Sequence, residues 1–101
     1  MSAFDLLADP NRRRLLEALR EGESSVGELV ERLKLSQPSV SKHLRILREA
    51  GLAAVRRDAQ RRIYRLDPRG LREVDEWLEP FRAFWEDRLD ALEEVLSSME
   101  E

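Results

Sequence analysis

Five side chains suited to a polyanion recur within twelve residues: Gln37, Ser41, Lys42, Arg45 and Arg48. Gln carries an amide that pairs bidentately with adenine, Ser a short hydroxyl for a base edge or phosphate, and Lys and Arg cations for guanine or phosphate. At ~100° per residue these five spread over one side of a helix, while Val40, Leu44 and Leu47 share the other. Gln37 and Ser41 lie near the N-terminal end, which in a helix docked in a major groove meets the base edges. A second basic cluster, Arg56, Arg57, Arg61 and Arg62, surrounds a turn. It suits a phosphate backbone or minor-groove contact, and it is equally compatible with a solvated, solubilising surface.

Rival chemistries lack their residues. There is no cysteine, which excludes disulfides, thiolate metal sites, iron–sulfur clusters and cysteine nucleophiles. The single histidine, His43, borders the apolar face of its helix, and one imidazole cannot assemble a metal site, so packing is the expectation for it. Ser39, Ser41 and His43 share one short helix without an orienting acid close by, and no glycine-rich phosphate loop or nucleophile elbow occurs. The expectation is a protein that is not an enzyme and holds no cofactor or metal.

The 101 residues are 42% hydrophobic and 39% charged, which fits one small domain. A net charge of -3 conceals an asymmetry: residues 1–70 carry 15 basic and 10 acidic side chains, and residues 71–101 carry 3 and 11. Within residues 34–65 there are 9 basic side chains against Glu49 and Asp58. Such a patch binds polyanions, or forms a basic surface neutralised by the acidic tail. No apolar run approaches the ~18 residues of a membrane span, and the first residues lack the pattern of a signal peptide. A cytoplasmic setting, without membrane, is expected.

The elements that would position these groups follow from caps and periodicity. Asp9-Pro10 opens a helix with Leu15, Leu16 and Leu19 on one face, ended by Gly22. Its Arg12, Arg13 and Arg14 read as a solvated basic turn with salt bridges to Glu17. Ser25 and Glu28 have capping-box spacing ahead of Val26, Leu29, Val30 and Leu33. After about three linking residues, Ser36 caps a helix running from Gln37 to about Ala50, with Gly51 as its C′ residue. Residues 52–57 and 62–66 alternate with period two around a turn at 58–61, a short hairpin. Asp67-Pro68 then opens a long helix whose Leu71, Val74, Leu78, Phe81, Trp85, Leu89, Leu92, Leu96 and Met99 recur at coiled-coil-like steps. Pro80 inside it predicts a kink or a break. Helix, tight turn, helix and hairpin is the order of a winged helix-turn-helix.

Three segments carry a family resemblance: Leu-Ala-Asp-Pro-Asn-Arg-Arg-Arg-Leu-Leu-Glu-Ala-Leu at 7–19, Ser-Val-Gly-Glu-Leu at 25–29, and Leu-Ser-Gln-Pro-Ser-Val-Ser-Lys-His-Leu-Arg-Ile-Leu-Arg-Glu-Ala-Gly-Leu at 35–52. With Arg-Arg-Ile-Tyr-Arg-Leu-Asp-Pro at 61–68 as the wing's return strand, the chain resembles the ArsR family of bacterial transcriptional regulators over about residues 4–68. The stretch at 35–52 is the most specific part. The resemblance implies a fold that is mainly α with a small β-hairpin, a winged helix-turn-helix of order α-α-α-α-β-β-α, dimeric through its terminal helices. It implies a single domain over residues 1–101, with 9–66 as DNA-binding core and wing and 67–99 as the dimerisation helix, kinked or broken near Pro80.

The resemblance also implies a homodimeric repressor that binds a pseudo-palindromic operator in double-stranded DNA. The positions matching the family's base-contacting residues are Gln37, Ser41 and Lys42, with Ser36 and Ser39 nearby, and an interface of terminal helices takes in Phe4, Leu7, Leu78, Phe81, Trp85, Leu89 and Leu92. Metal sites found in many relatives are not carried over: Ser-Val-Gly-Glu-Leu lacks the thiols, and the last helix has no histidine. Trp77, Phe81, Phe84 and Trp85, four of six aromatics within nine positions, exceed what so small a core can cover. A second copy would bury them, and a small-molecule pocket at that interface is the alternative. Two other functions remain open at this level: a winged-helix protein-interaction module, and a repressor responsive to an unknown ligand.

Overall fold

The computed structural model describes residues 2–100, so Met1 and Glu101, the bounds of the expected domain, lie outside the described residues. The chain runs α1 (Ala3–Leu7), α2 (Pro10–Glu21), β1 (Ser24–Ser25), α3 (Val26–Leu33), α4 (Gln37–Glu49), β2 (Ala53–Asp58), β3 (Arg61–Leu66), a 3₁₀ turn (Pro68–Leu71) and α5 (Arg72–Glu100). Each early helix starts at a side-chain cap. Asp9 accepts from the Asn11 and Arg12 N–H groups at 2.8 and 3.2 Å, and Pro10 fills a first-turn position whose N–H has no helical partner. Ser25 and Glu28 close the reciprocal box, with Glu28 N–H to Ser25 Oγ at 3.2 Å and Ser25 N–H to Glu28 Oε1 at 3.0 Å. Ser2 and Asp5 close a second box on α1.

These helices enclose one core. Leu15, Leu29, Val40, Leu44, Leu47 and Leu52 are completely covered, joined by Leu6, Leu19, Leu33 and Tyr64. Burying each such side chain stabilises the fold by about 1.5–3 kcal/mol, which makes this cluster the platform on which α4 is held. α4 ends as expected, with Gly51 at φ +77°. The Gly51 N–H donates to Arg48 O at 3.0 Å and the Leu52 N–H to Leu47 O at 2.8 Å, the paired bonds of a Schellman ending.

Several expectations need correction. The expected hairpin of β2 and β3 is present, and a short third strand joins it: the antiparallel sheet has the order β1-β3-β2, because Ser24 and Ser25 pair with Tyr64 and Ile63. Its turn is two residues, Ala59 and Gln60, since Asp58 and Arg61 still pair across the ladder. The long helix begins at Arg72, not at Asp67. Asp67 caps a 3₁₀ turn by accepting from the Arg69 N–H at 3.1 Å, and that turn precedes α5. α5 then continues through Pro80 as one helix of 29 residues, so of the two expected outcomes the break does not occur: one missing N–H among so many bonds does not end a helix.

Nothing on α5 is buried. The radius of gyration is 18.5 Å, where a compact chain of this length has about 13 Å. The excess reflects α5, ~43 Å long at 1.5 Å per residue, extending away from the body.

Candidate nucleic-acid interface

Two helices joined by a three-residue turn place the polar and basic face of α4. Lys34 ends α3 in the left-handed conformation, φ 58° and ψ 37°, which reverses the chain so that Ser36 caps α4 three residues before Ser39, whose N–H it accepts at 3.3 Å. Ser36 is thus exposed but engaged as a cap, and Ser39 is half-buried in the first turn. Beyond them α4 divides as its periodicity predicts. Val40, Leu44 and Leu47 are covered, while Gln37, Ser41, Lys42, Arg45 and Arg48 are exposed. Lys42, Arg45 and Arg48 form no salt bridge among the described residues. Three uncompensated cations on one helix face leave a positive surface available to an outside anion.

The wing sorts its arginines into two kinds. Arg56 donates to Glu23 at 2.9 Å and Arg61 to Glu28 at 2.9 Å. The Arg56 hydrogen bond holds the Glu23 carboxyl below its ordinary range. Bonds from the Ser25 N–H and hydroxyl, with the Arg61 charge, do the same for Glu28. Arg57 and Arg62 are exposed, face each other across the strands and have no acidic partner among the described residues. Glu23 and Glu28 therefore set the wing, a role the sequence signalled only for Glu28, through its capping box.

Arg12, Arg13 and Arg14 do not bridge to Glu17 as expected. Arg12 Nε donates to Leu6 O at 2.9 Å, Arg13 Nη1 to Leu7 O at 2.6 Å, and Arg14 Nη2 to Leu33 O at 2.9 Å. All three cap carbonyls at the C-terminal ends of α1 and α3, where a cation also meets the negative end of the helix dipole. His43 is half-buried, and its Nδ1 lacks a hydrogen-bond partner among the described residues. No group of three or more His, Asp or Glu able to hold a metal occurs among the described residues.

Away from this surface, Phe4 on α1 meets Trp77 edge-on with ring centroids 5.6 Å apart, and the ladder continues through Phe81 at 4.8 Å and Trp85 at 6.4 Å. Trp77 remains 56% exposed, Phe81 41% and Trp85 50%. Leu7 and Leu78 are half-buried beside them, whereas Leu89 and Leu92 further along α5 are exposed. The residues assigned to the interface from sequence thus lie along α1 and the length of α5, with the rings of Phe4, Phe81 and Trp85 linked through Trp77.

Comparison with known proteins decides what this arrangement is. The profile of the bacterial regulatory protein, arsR family, matches residues 9–55. Arsenic resistance transcriptional regulator ArsR1 of Pseudomonas putida is 45% identical over 95 residues, 93% of this chain and 69% of its own length. The chain belongs to the ArsR family. HTH-type transcriptional regulator Rv2034 of Mycobacterium tuberculosis is 46% identical over 69 residues, 68% of this chain, which spans only 64% of that relative's length. The crystal structure of a possible transcriptional regulator for arsenical resistance superposes with a TM-score of 0.71 at 41% identity, covering 91% of this chain and 93% of the other. The fold is therefore that of a transcriptional regulator of the ArsR type. No helix among the described residues is long and apolar enough to cross a membrane.

Proposed function

We propose that the chain is a homodimeric, sequence-specific repressor that acts in the cytoplasm by occluding a promoter. The two α4 helices enter successive major grooves of a pseudo-palindromic operator, ~34 Å apart. Gln37 and Ser41 read base edges, with Ser36 and Ser39 at the same end of the helix, and Lys42 and Arg45 hold phosphates or guanine. Arg57 and Arg62 grip the backbone from the wing, with Arg56 and Arg61 behind them. Residues 9–66 form the DNA-binding core and wing, residues 67–99 supply the dimerisation helix, and the acidic tail faces away from DNA. The protein performs no catalysis and needs no cofactor.

The observation that carries this reading is the α4 face: three cations without acidic partners lie beside an amide and a hydroxyl, on a helix whose other side is locked into the core. A protein-interaction module has no use for a basic stripe running along both α4 and the wing. The test is binding to mixed-sequence DNA and to a random-site library at two salt concentrations, with the mass in solution measured alongside. A dimer that enriches an inverted repeat in a salt-sensitive manner is the expected result. Weak binding without enrichment would transfer the function to protein interaction through the aromatic face.

A further inference from the structure

Gly70 is pressed against the end of the recognition helix. A Cβ at this position would lie 2.5 Å from Gly51 O, 2.7 Å from Gly51 C and 2.8 Å from Leu52 Cδ2. Two of these atoms are backbone, and Leu52 is completely covered, so none can swing aside. Ordinary contact begins at 3.4 Å, so an alanine here must open the joint by about 0.9 Å. At Gly22 and Gly27, by contrast, a Cβ meets nothing within 4 Å.

The partner in this contact is itself fixed. Gly51 belongs to the Schellman ending of α4, and the Asp67 N–H donates to the next carbonyl, Leu52 O, at 2.9 Å. Asp67 also caps the 3₁₀ turn that carries Gly70, and α5 begins two residues later at Arg72. The end of α4 is thus clamped at two points by the segment leading into α5. In the other direction Gln37 stands 14 residues ahead of Gly51, ~21 Å along the helix.

We propose that the Gly51–Gly70 contact is a joint setting the angle between α4 and α5, and that Gly70 is a positioning residue for DNA specificity. This rests on the homodimeric reading above: once two α5 helices pair, the joint fixes the separation and tilt of the two recognition helices. α4 pivots on its buried middle, around Leu44, so opening its C-terminal end by close to 1 Å displaces its base-facing end comparably. Directional contacts require placement to about 0.5 Å. Phosphate attraction is not directional in this way and survives the displacement.

The experiment starts from a site enriched by the native chain from a random library. Gly70→Ala is then compared with the native chain on that site and on mixed DNA, with melting temperature and mass recorded. The expected result is a loss of about tenfold or more on the selected site, the size of one mismatched base pair, with mixed-DNA affinity and dimeric mass retained. Renewed selection by the variant should favour a different spacing between half-sites. Gly27→Ala serves as the control for glycine replacement and should keep the native preference. Equal losses on both DNAs, or none on either, would overturn the proposal. If Gly70→Ala does not fold, Asp67→Ala decides: it removes the cap of the turn and adds no atom, and an unchanged ratio of selected to mixed affinity would overturn the joint. A native chain that enriches no site would instead sink the repressor reading, and the joint with it.

Discussion

Arg57 and Arg62 stand directly opposite one another across β2 and β3, and neither meets a carboxylate among the described residues. Like charges in this position cost about 0.2–1 kcal/mol. Their neighbours differ: Arg56 stands opposite Ile63 and Arg61 opposite Asp58, and the two are ion-paired to Glu23 and Glu28. The wing therefore keeps one like-charged cross-strand pair without a carboxylate to offset it.

Replacing either Arg57 or Arg62 by alanine should weaken binding to every DNA sequence and lower the slope of log affinity against log salt by about one. The melting temperature should hold or rise, because the cross-strand repulsion goes. Arg61→Ala should change the slope less, since Glu28 already compensates much of its charge. Titrations of labelled DNA at four salt concentrations measure all three. Unaltered slopes for both Arg57→Ala and Arg62→Ala would make the wing a solubilising surface only.

Gln37→Ala should behave differently. Gln37 is exposed at the first position of α4, so its loss leaves the core and the positive face intact. Affinity should fall by about 1–3 kcal/mol at one or two base pairs and stay constant elsewhere. A panel of single-base operator variants reads this directly, and equal losses at every position would remove Gln37 from base reading.

What was legible in the sequence was local. Asp9, the Ser25–Glu28 box, Ser36 and Gly51 each act within one helical turn, and each stands at the boundary its spacing predicts. The split of α4 into a buried and an exposed side follows from periodicity alone. Features that depend on distant chain were not legible. β1 is two residues long and exists because β3, some 40 positions later, offers an open edge. Arg12, Arg13 and Arg14 reach carbonyls whose placement depends on how α1 and α3 pack, and no local spacing announces it. The division of the wing arginines rests on acids 33 residues upstream. The late start of α5 coincides with contacts to distant chain as well: the Asp67 N–H donates to Leu52 O, and Gly70 abuts Gly51.

Asp67 gives the fold an acid limit. Side-chain bonds from Arg69 at 3.0 and 2.7 Å, with the Arg69 N–H, lower its carboxyl to about 2. An unfolded aspartate titrates near ~3.9, so the folded state binds fewer protons in between, and stability falls as pH drops through that window. Asp5, Glu23 and Glu28, lowered in the same direction, add to the effect. Melting temperature should be flat from neutrality to about pH 5 and decline from there toward pH 2. Asp67→Asn should melt lower at pH 7 and show a shallower acid decline. An identical decline in the variant would take Asp67 out of the account.

Phe81 sits at the middle of the aromatic ladder, between Trp77 and Trp85, and all three remain about half exposed on a helix that buries nothing. Aromatic side chains bury about 150–250 Å² each when wholly covered, of which rings about half exposed have about half left to bury, and a stable interface needs about 800 Å² per partner. Four rings, counting Phe4, together with the exposed Leu89, Leu92 and Leu96 along the same helix, supply the greater part of that area. Phe81→Glu keeps a good helix former and places a charge at the centre of the patch, where burial without a partner is costly. The variant should therefore fold, since Phe81 is not part of the core cluster, and should sediment as a monomer. Binding to an inverted repeat should then fall toward the affinity of a single half-site, because the second recognition helix no longer arrives with the first. If Phe81→Glu stays dimeric and binds the repeat as the native chain does, the two copies pair elsewhere and the ladder needs another partner.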